Sequence, residues 1–552
     1  MLVPATTMNH TPNTMFLSGR CTLLRTLMLT TALAAAPLTW AQEAKVRVKV
    51  KADLEAKPDE GIGVARMVKG DAGSVVALKT KGGRTVLGGV MQPELDWSLV
   101  AYDREKLTLI KSDKPKIVWG IGPVALETIV NFGGQFRLIA SKPDKEKAKL
   151  LVLQQVLSPR SLTGKAAQLL YELPFDRLGK GPEYFVDNMA IGFTTTTSVD
   201  STKLLLGLTP ASTTRSAGAP IWAMVLDKQM KPLWNNTLTT DPAARNAQVI
   251  DVRVDKSGAA WYLVKNISDP APKTKEVLGY SYELYRLDSA GQTSVKLDLP
   301  GKNFAQDARF ELRADGSIVC GGIYSDPEPN RNESLGMFRM ELDIANMKWV
   351  GFNAFPFALQ MVKKVEKLQN DMRLVRMIER KDGGLFLIAE KAGTETTMVS
   401  DLSGKKVAKT QWVNGALHVM QVGRTGAEPV WYKQIERQLA YDDADPGNVV
   451  AGTAGDLLFV FYNDSEKNIE NRKAKLPVEQ VTTAKDLIML EFKADGTDKG
   501  RVVLKEGFKQ GFLSADRVWH VGPGIIGTLG APAFGKGKTY PVLVELLQET
   551  KK

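Results

Sequence analysis

Cysteine and histidine are nearly missing from this chain: two of the first and three of the second among 552 residues. Cys21 precedes an apolar run that reads as a leader, so Cys320 stands alone and no internal disulfide can form. Stability must come from packing. His418 and His520 sit inside apolar strand patterns, LHVMQV and VWHVGPG, and read as structural side chains. Gly-x-Ser-x-Gly, His-Glu-x-x-His, the Gly-x-x-x-x-Gly-Lys-Ser/Thr phosphate loop and any Cys/His cluster are missing too. Serine hydrolase, zinc protease and nucleotide enzyme are thereby left without support. Carboxylate chemistry escapes this test, because a glycosidase needs only two acids about 5 to 10 Å apart in space.

Long apolar runs are scarce. The longest, Leu27 to Leu38, has about a dozen residues, short of the roughly 20 that span a bilayer as a helix. Arg20 and Arg25 precede it and Thr39-Trp40-Ala41 follows, so residues 1–41 read as an export signal cleaved near Ala41, starting at Met1 or Met15. The expected product is a periplasmic or secreted monomer with no integral membrane segment. Less the two leader arginines, 71 basic residues against 61 acids leave +10. No basic block dominates: KVRVKVK (45–51) alternates with valine, and SKPDKEKAK (141–149) mixes acids among its lysines. Dispersed charge of this kind marks a solvated surface, and nucleic acid is not an expected partner.

What the chain has in quantity is one repeated phrase. KGDAGSVVALK, NFGGQFRLIASK, VDKSGAAWYLVKN, RADGSIVCGG, RKDGGLFLIAEK and TAGDLLFVFYND each join a turn that tolerates positive φ to an apolar strand. Gly73, Gly133, Gly258, Gly316, Gly383, Gly455 and Gly524 mark seven such turns, and Asp200-Ser-Thr-Lys marks an eighth without glycine. The mean period from Gly73 to Gly524 is about 64 residues. A second phrase, strand-turn-strand, accompanies each turn, as in SLVAYDREKLTLI (98–110) and IWAMVLDKQMKPLW (221–234). Paired hairpins at this period predict an all-β chain: a single β-propeller of four-stranded antiparallel blades, eight preferred and seven the alternative. The strand-turn-strand phrase is read as the first half of each blade and the glycine turn as the second. The C-terminal strand 539–547 is expected to close the ring on the N-terminal hairpin around Gly73, which removes two exposed sheet edges. The expected division is leader 1–41, N-terminal arm 42–59 and propeller 60–552. An amphipathic pattern over 357–368 predicts a short helix.

Function is sought on loops. Spans 209–220, 266–280, 324–336, 390–415, 462–486 and 530–539 are long and read as inter-blade connections on one face, with mixed charge suited to a protein or glycan partner. Asp443 and Asp445 are spaced as in calcium loops, without the third carboxylate or distal glutamate of an EF-hand, so calcium is the one cofactor that local sequence suggests. Asn463, Asp464 and Asn468 enter the longest polar loop and are binding-face candidates, with a side-chain-capped turn as the alternative. No residue is assigned a catalytic role.

Two resemblances follow from particular stretches. IWAMVLDKQMKPLW, with Ala223, Asp227, Lys231 and Trp234, resembles the tryptophan docking motif of quinoprotein alcohol dehydrogenase-like propellers. That implies an exported eight-bladed propeller. The motif occurs once, lacks its glycine, and has no vicinal cysteine pair beside it, so the quinone chemistry is not carried over. The succession LDIANMKWVGFNAF, RKDGGLFLIAEK, PVWYKQIERQ and LLFVFYNDSEKN, over residues 330–470, resembles uncharacterised exported propeller-like proteins of Gram-negative bacteria. These readings imply an exported, non-enzymatic binding scaffold; the alternative is a carboxylate-based, glycan-active hydrolase or lyase.

Overall fold

Turns of positive φ between alternating apolar runs demand antiparallel pairing of neighbours, and that is how the chain folds. The computed structural model describes residues 46–548 apart from 53–61, 88–89, 180–184, 186–189, 209–214, 217, 219, 269–278, 326–333, 358–371, 401–404, 442–448, 483–485, 505–511, 523 and 532–539. After β1 (Val46–Ala52), blade one comprises β2 (Ile62–Lys69), β3 (Ser74–Leu87), β4 (Val90–Asp103) and β5 (Leu109–Asp113). Blade two is β6 (Ala125–Phe132), β7 (Gln135–Asp144), β8 (Lys149–Leu157) and β9 (Gln168–Pro174). Blade three is β10 (Phe193–Thr197), β11 (Leu204–Leu208), β13 (Ile221–Leu226) and β14 (Pro232–Leu238), with β12 (Arg215–Ser216) reaching forward to the next sheet. That next blade is β15 (Asn246–Val254), β16 (Ala260–Ile267), β17 (Tyr280–Asp288) and β18 (Gly291–Lys296). Blade five is β19 (Phe304–Leu312), β20 (Ile318–Ser325), β21 (Ser334–Asp343) and β22 (Lys348–Pro356). Blade six is β23 (Met372–Glu379), β24 (Leu385–Ser400), β25 (Lys406–Val422) and β26 (Pro429–Ile435), with β27 (Leu439–Tyr441) on β25. Blade seven is β28 (Val449–Ala454), β29 (Leu457–Asp464), β30 (Asp486–Phe492) and β31 (Asp498–Leu504). The last sheet joins β32 (Phe512–Gly522), β33 (Ile525–Ala531) and β34 (Tyr540–Gln548) to β1.

Eight antiparallel blades are present, as expected. The segment at Asp200 makes the β10–β11 turn, with Ser201 taking φ 55° where other blades place glycine. At Gly133 the requirement for glycine is double: φ is 60°, and a Cβ would lie 2.5 Å from the Lys228 carbonyl of blade three. Side chains alternate between the two neighbouring blades. Val75 and Ala77 of β3 pack toward the last blade while Val76 and Leu78 pack toward blade two. Repeated round the molecule, this alternation fills the spaces between successive blades, and the space between blades eight and one holds Val64, Val75, Val521 and Leu543. The innermost strands also meet in sequence, β32 lying against β2.

Three expectations are corrected. The C-terminal strand pairs with β1, from Val46↔Gln548 to Ala52↔Val542, and not with the hairpin around Gly73, which belongs to blade one. The KVRVKVK alternation is therefore the outer strand of the last blade, inside the stretch assigned to an arm. Second, the glycine turn lies between the first and second strands of each blade, so the phase of the repeat is the reverse of that expected. Third, the long spans from 209–220 to 530–539 thus join second to third strands within blades and are not inter-blade connections. They still share one face, because in an up-and-down sheet the second-to-third connections all lie opposite the first-to-second turns. The expected helix, Phe357 excepted, lies outside the described residues; Phe357 itself is buried.

Glu545 of β34 fastens the closure. It accepts from Lys51 Nζ of β1 at 2.7 Å and from Arg104 Nε of blade one at 2.9 Å. Burial alone pushes this carboxyl up, but the hydrogen bonds and charges of Lys51 and Arg104 outweigh it and hold it below the ordinary 4.5. Its contribution to stability is therefore full above that value and is lost as pH falls through the lower folded value. E545Q should lower unfolding stability at pH 7 by roughly 3 kcal/mol, because it leaves two partly buried cations unpaired. Denaturant titrations of the two proteins should converge as pH is lowered below 4.5.

Candidate functional site

Inner strands face the ring's interior, and apart from β15, whose first residues pair with β12, that edge has no further sheet partner among the described residues. Five of them break register at corresponding places: after Val64, Leu126, Val249, Ala305 and Leu374. A bulge bends a strand and re-aims the next side chain. In every case the residue at which pairing resumes is polar: Arg66, Thr128, Asp251, Asp307 and Arg376. Arg66, Asp251 and Arg376 each stand seven residues before their turn glycine, Gly73, Gly258 and Gly383, and that spacing was available in the sequence. These residues tie blades together. Arg66 donates to Thr128 Oγ1 at 3.3 Å and to the Thr195 carbonyl at 3.1 Å, spanning three blades. Glu127, inside the second bulge, accepts from the backbone N–H of Ile191, Gly192 and Phe193 at 2.9 to 3.1 Å and from the Ser141 hydroxyl.

A cavity of about 660 Å³ opens between β15, β19, β23, β28 and β32. Its floor and walls are apolar where Leu374, Ile525, Ile526 and Leu546 contribute. The rest is charged: guanidiniums of Arg253, Arg309, Arg373 and Arg376 stand beside the carboxylates of Asp251, Asp307 and Glu311. Arg253 bridges two of those acids, touching Asp251 and reaching Glu311 at 3.3 Å. Burial is the largest influence on Asp251 and raises its pKa, against the pull of Arg253. Asp307 instead accepts the Leu374 N–H of the next blade at 2.8 Å and the Ala308 N–H at 2.9 Å. Arg373 turns away to Glu390, at 2.7 Å, which is fully buried and also holds Arg437.

The two histidines diverge. His418 packs on Phe357, its Nδ1 2.6 Å from the Tyr432 hydroxyl, and burial drives its pKa down to about 4, so it is a neutral packing group. His520 lines the cavity, where the surrounding protein and then Arg253 and Arg376 push its pKa down. Sequence pattern treated the two alike, because both interrupt apolar strands.

On the face of the long connections, β24 and β25 run on past their blade as a two-stranded ribbon, paired from Ala392↔Asn414 to Ser400↔Lys406. Register places Met398 and Trp412 on the same side, and both are exposed, Met398 at 62% and Trp412 at 40%. Strand β27 braces the ribbon's base against Trp412 to Asn414. The expected polar loop after β29 contains a helix, α1 (Glu466–Lys473). Asn463, Asp464 and Asn468 are buried there, not offered to a partner. Asp464 accepts from the Ser465 N–H at 2.8 Å, from Asn468 Nδ2 at 2.7 Å and from Arg472 at 2.6 Å, while Asn468 exchanges hydrogen bonds with the Glu479 backbone. The capped-turn alternative describes them better. Asp443 and Asp445 lie outside the described residues; among the described residues no group of three or more His, Cys, Asp or Glu is arranged to hold a metal ion.

The tryptophan phrase has a structural role in place. Trp234 Nε1 donates to the Gly258 carbonyl of the next blade at 2.8 Å, and Asp227 caps its own turn through the N–H groups of Gln229 and Lys231.

No known protein family matches the chain, and no curated protein does. Among solved structures, the chain is similar to the polysaccharide lyase Uly1 at 11% identity, over 79% of this chain and 93% of that one, with a TM-score of 0.38. It is similar to Trypanosoma rangeli sialidase in complex with sialic acid at 10% identity, over 66% of this chain and 55% of that one, TM-score 0.34. Prolyl oligopeptidase B from Galerina marginata matches at 9% identity over 85% and 55%, TM-score 0.36. Likeness this distant assigns no activity, and the architecture rests on strand pairing.

Because Asp464 gathers the start and end of α1, D464A should open that loop without opening the ring. The local opening free energy should fall by roughly 2 kcal/mol. Amide hydrogen exchange through residues 466–473 should then quicken by roughly 30-fold, with the other blades unchanged.

Proposed function

We propose that this is an exported, non-enzymatic β-propeller that binds a protein or glycan of the cell envelope on the face carrying the second-to-third strand connections. The observation that carries this reading is the ribbon of β24 and β25. A two-stranded ribbon without a backing layer is marginal in water, and apolar side chains on it gain by being covered. Trp412 with Met398 supplies such a pair, on a rigid base. The opposite face is occupied with latches between blades, such as Arg160 to Asp71 at 3.0 Å and Arg424 to Asp315 at 2.8 Å, which leaves it less to offer.

One observation favours a second reading, a glycan-active carboxylate enzyme: Asp251 and Glu311 share Arg253 inside the cavity, and burial raises the Asp251 carboxyl. The same guanidinium stabilises both acids as anions, which opposes a general acid. Turnover of envelope glycans abolished by both D251N and E311Q would establish that reading over the first.

The test of the binding reading is crosslinked capture from native envelope by the wild type, by M398A/W412A and by a variant with residues 394–412 replaced by a tight turn. Partners captured by the wild type should fall at least tenfold in both variants, as loss of a buried tryptophan anchor requires, with melting temperature unchanged. Equal capture by all three would remove the ribbon from the interface.

A further inference from the structure

Connections from the fourth strand of one blade to the first of the next leave on the same face as the second-to-third ones, because second and fourth strands run the same way. The first of them, from β5 to β6, holds KPKIVWGIGP (114–123). Ile117 packs between blades one and two, while its neighbour Val118 is 61% exposed. Ile121, at 96%, is the most exposed large apolar side chain among the described residues. Gly120 at φ 59° and Gly122 at φ 95° turn the backbone on either side of it. Lys142 of β7 donates from Nζ to the Trp119 carbonyl at 3.2 Å and to the Ile121 carbonyl, which braces the tip against blade two. A lone exposed apolar side chain is ordinary; two on one braced turn form a patch. Charge around it is in excess of one sign. Residues 108–124 hold three lysines and one aspartate, and Asp113 is engaged by Lys111 at 2.9 Å. The neighbouring turn from β7 to β8 brings four lysines and two acids over 141–149, with Asp144 engaged by Lys147 at 3.3 Å. Lys114, Lys116, Lys145 and Lys147 are all exposed.

We propose that this tip docks the propeller on an anionic lipid bilayer, with Val118 and Ile121 entering the boundary between headgroups and acyl chains and the lysines meeting lipid phosphates. Apolar side chains gain by leaving water, and each lysine held near an anionic surface adds to the attraction. Lysine suits that place, because its stem lies along apolar surface while its ammonium stays among the headgroups. It is depleted from protein–protein interfaces, so an apolar tip ringed by lysines fits lipid better than a protein partner. Two aliphatic side chains make the attachment peripheral and reversible. Among the described residues no helix is long and apolar enough to cross a membrane. The tip and the ribbon stand on one face but on different blades, so the role of the tip is independent of the ribbon's.

Cosedimentation with vesicles of equal parts phosphatidylglycerol and phosphatidylcholine, and with vesicles of phosphatidylcholine alone, tests the proposal. The wild type should bind the anionic vesicles at least tenfold more tightly than the neutral ones, and added salt should loosen that complex. Affinity for anionic vesicles should fall at least tenfold in V118S/I121S, which loses two aliphatic side chains from the boundary. It should fall by roughly 25-fold in K116Q/K145Q, at about fivefold for each lysine. Melting temperatures of both variants should match the wild type, since only exposed side chains change. An environment-sensitive dye on I121C should shift its emission to the blue with anionic vesicles. M398A/W412A should bind vesicles as the wild type does, so failure of the ribbon reading leaves this result standing. Absence of wild-type binding to anionic vesicles would turn the tip toward a protein partner and overturn the proposal. Undiminished binding by V118S/I121S, or a dye that does not shift, would overturn it too.

Discussion

Glu545 and the two cations it receives hold the ring shut, and everything else in the molecule presupposes a shut ring. Lys51 lies 494 residues from Glu545 in the chain, and Arg104 lies 441 residues away. Bringing such distant segments together carries a loop-closure cost that grows only slowly with length, so one well-packed seam can meet it. The seam is the last blade, three strands from one end of the chain and one from the other. Without β1, β34 would be an exposed edge and Val46, Val48 and Val50 would lose the apolar cluster they pack against. Closure also sets the interior, since β32 brings His520 to the cavity only when it lies against β2 on one side and β28 on the other.

The two faces have different work. Where first and second strands meet, aspartates cap the turns and neighbouring blades reach across: Trp234 to the Gly258 carbonyl, Arg160 to Asp71, Arg424 to Asp315. These contacts are short and repetitive, and they fix the angle between blades. The opposite connections are freed from that task. One holds α1 on a buried net of Asn468, Asp464 and Arg472, another extends as a ribbon, and neither alters the cores between blades.

Much of this was legible in the sequence, for physical reasons that also explain the rest. Turn chemistry and period-2 alternation are local, so the turns, the glycine-free one at Asp200 included, could be read from the sequence and favoured eight blades with seven as the alternative. The grouping of hairpins into blades is not local. An up-and-down meander can be cut at any turn, and only the pairing of β1 with β34 shows where blades begin. Asn463, Asp464 and Asn468 misled because polar residues after an apolar strand look the same whether they face solvent or each other. The inner-strand bulges left a trace that period-2 reading discards: a charged residue seven places before Gly73, Gly258 and Gly383, where the alternation shifts by one.

That trace also bears on why the interior is charged at all. A ring of eight blades leaves a hole that side chains of inner strands must fill or line, and apolar residues alone would leave it dry and empty. Here the lining does both tasks. Arg66 and Glu127 turn their charge to backbone groups of other blades and so act as inter-blade fasteners. Asp307 does the same across β19 and β23. Arg309 of blade five likewise reaches the Ile250 carbonyl of blade four at 3.3 Å, and burial is the largest influence that lowers the pKa of Arg376.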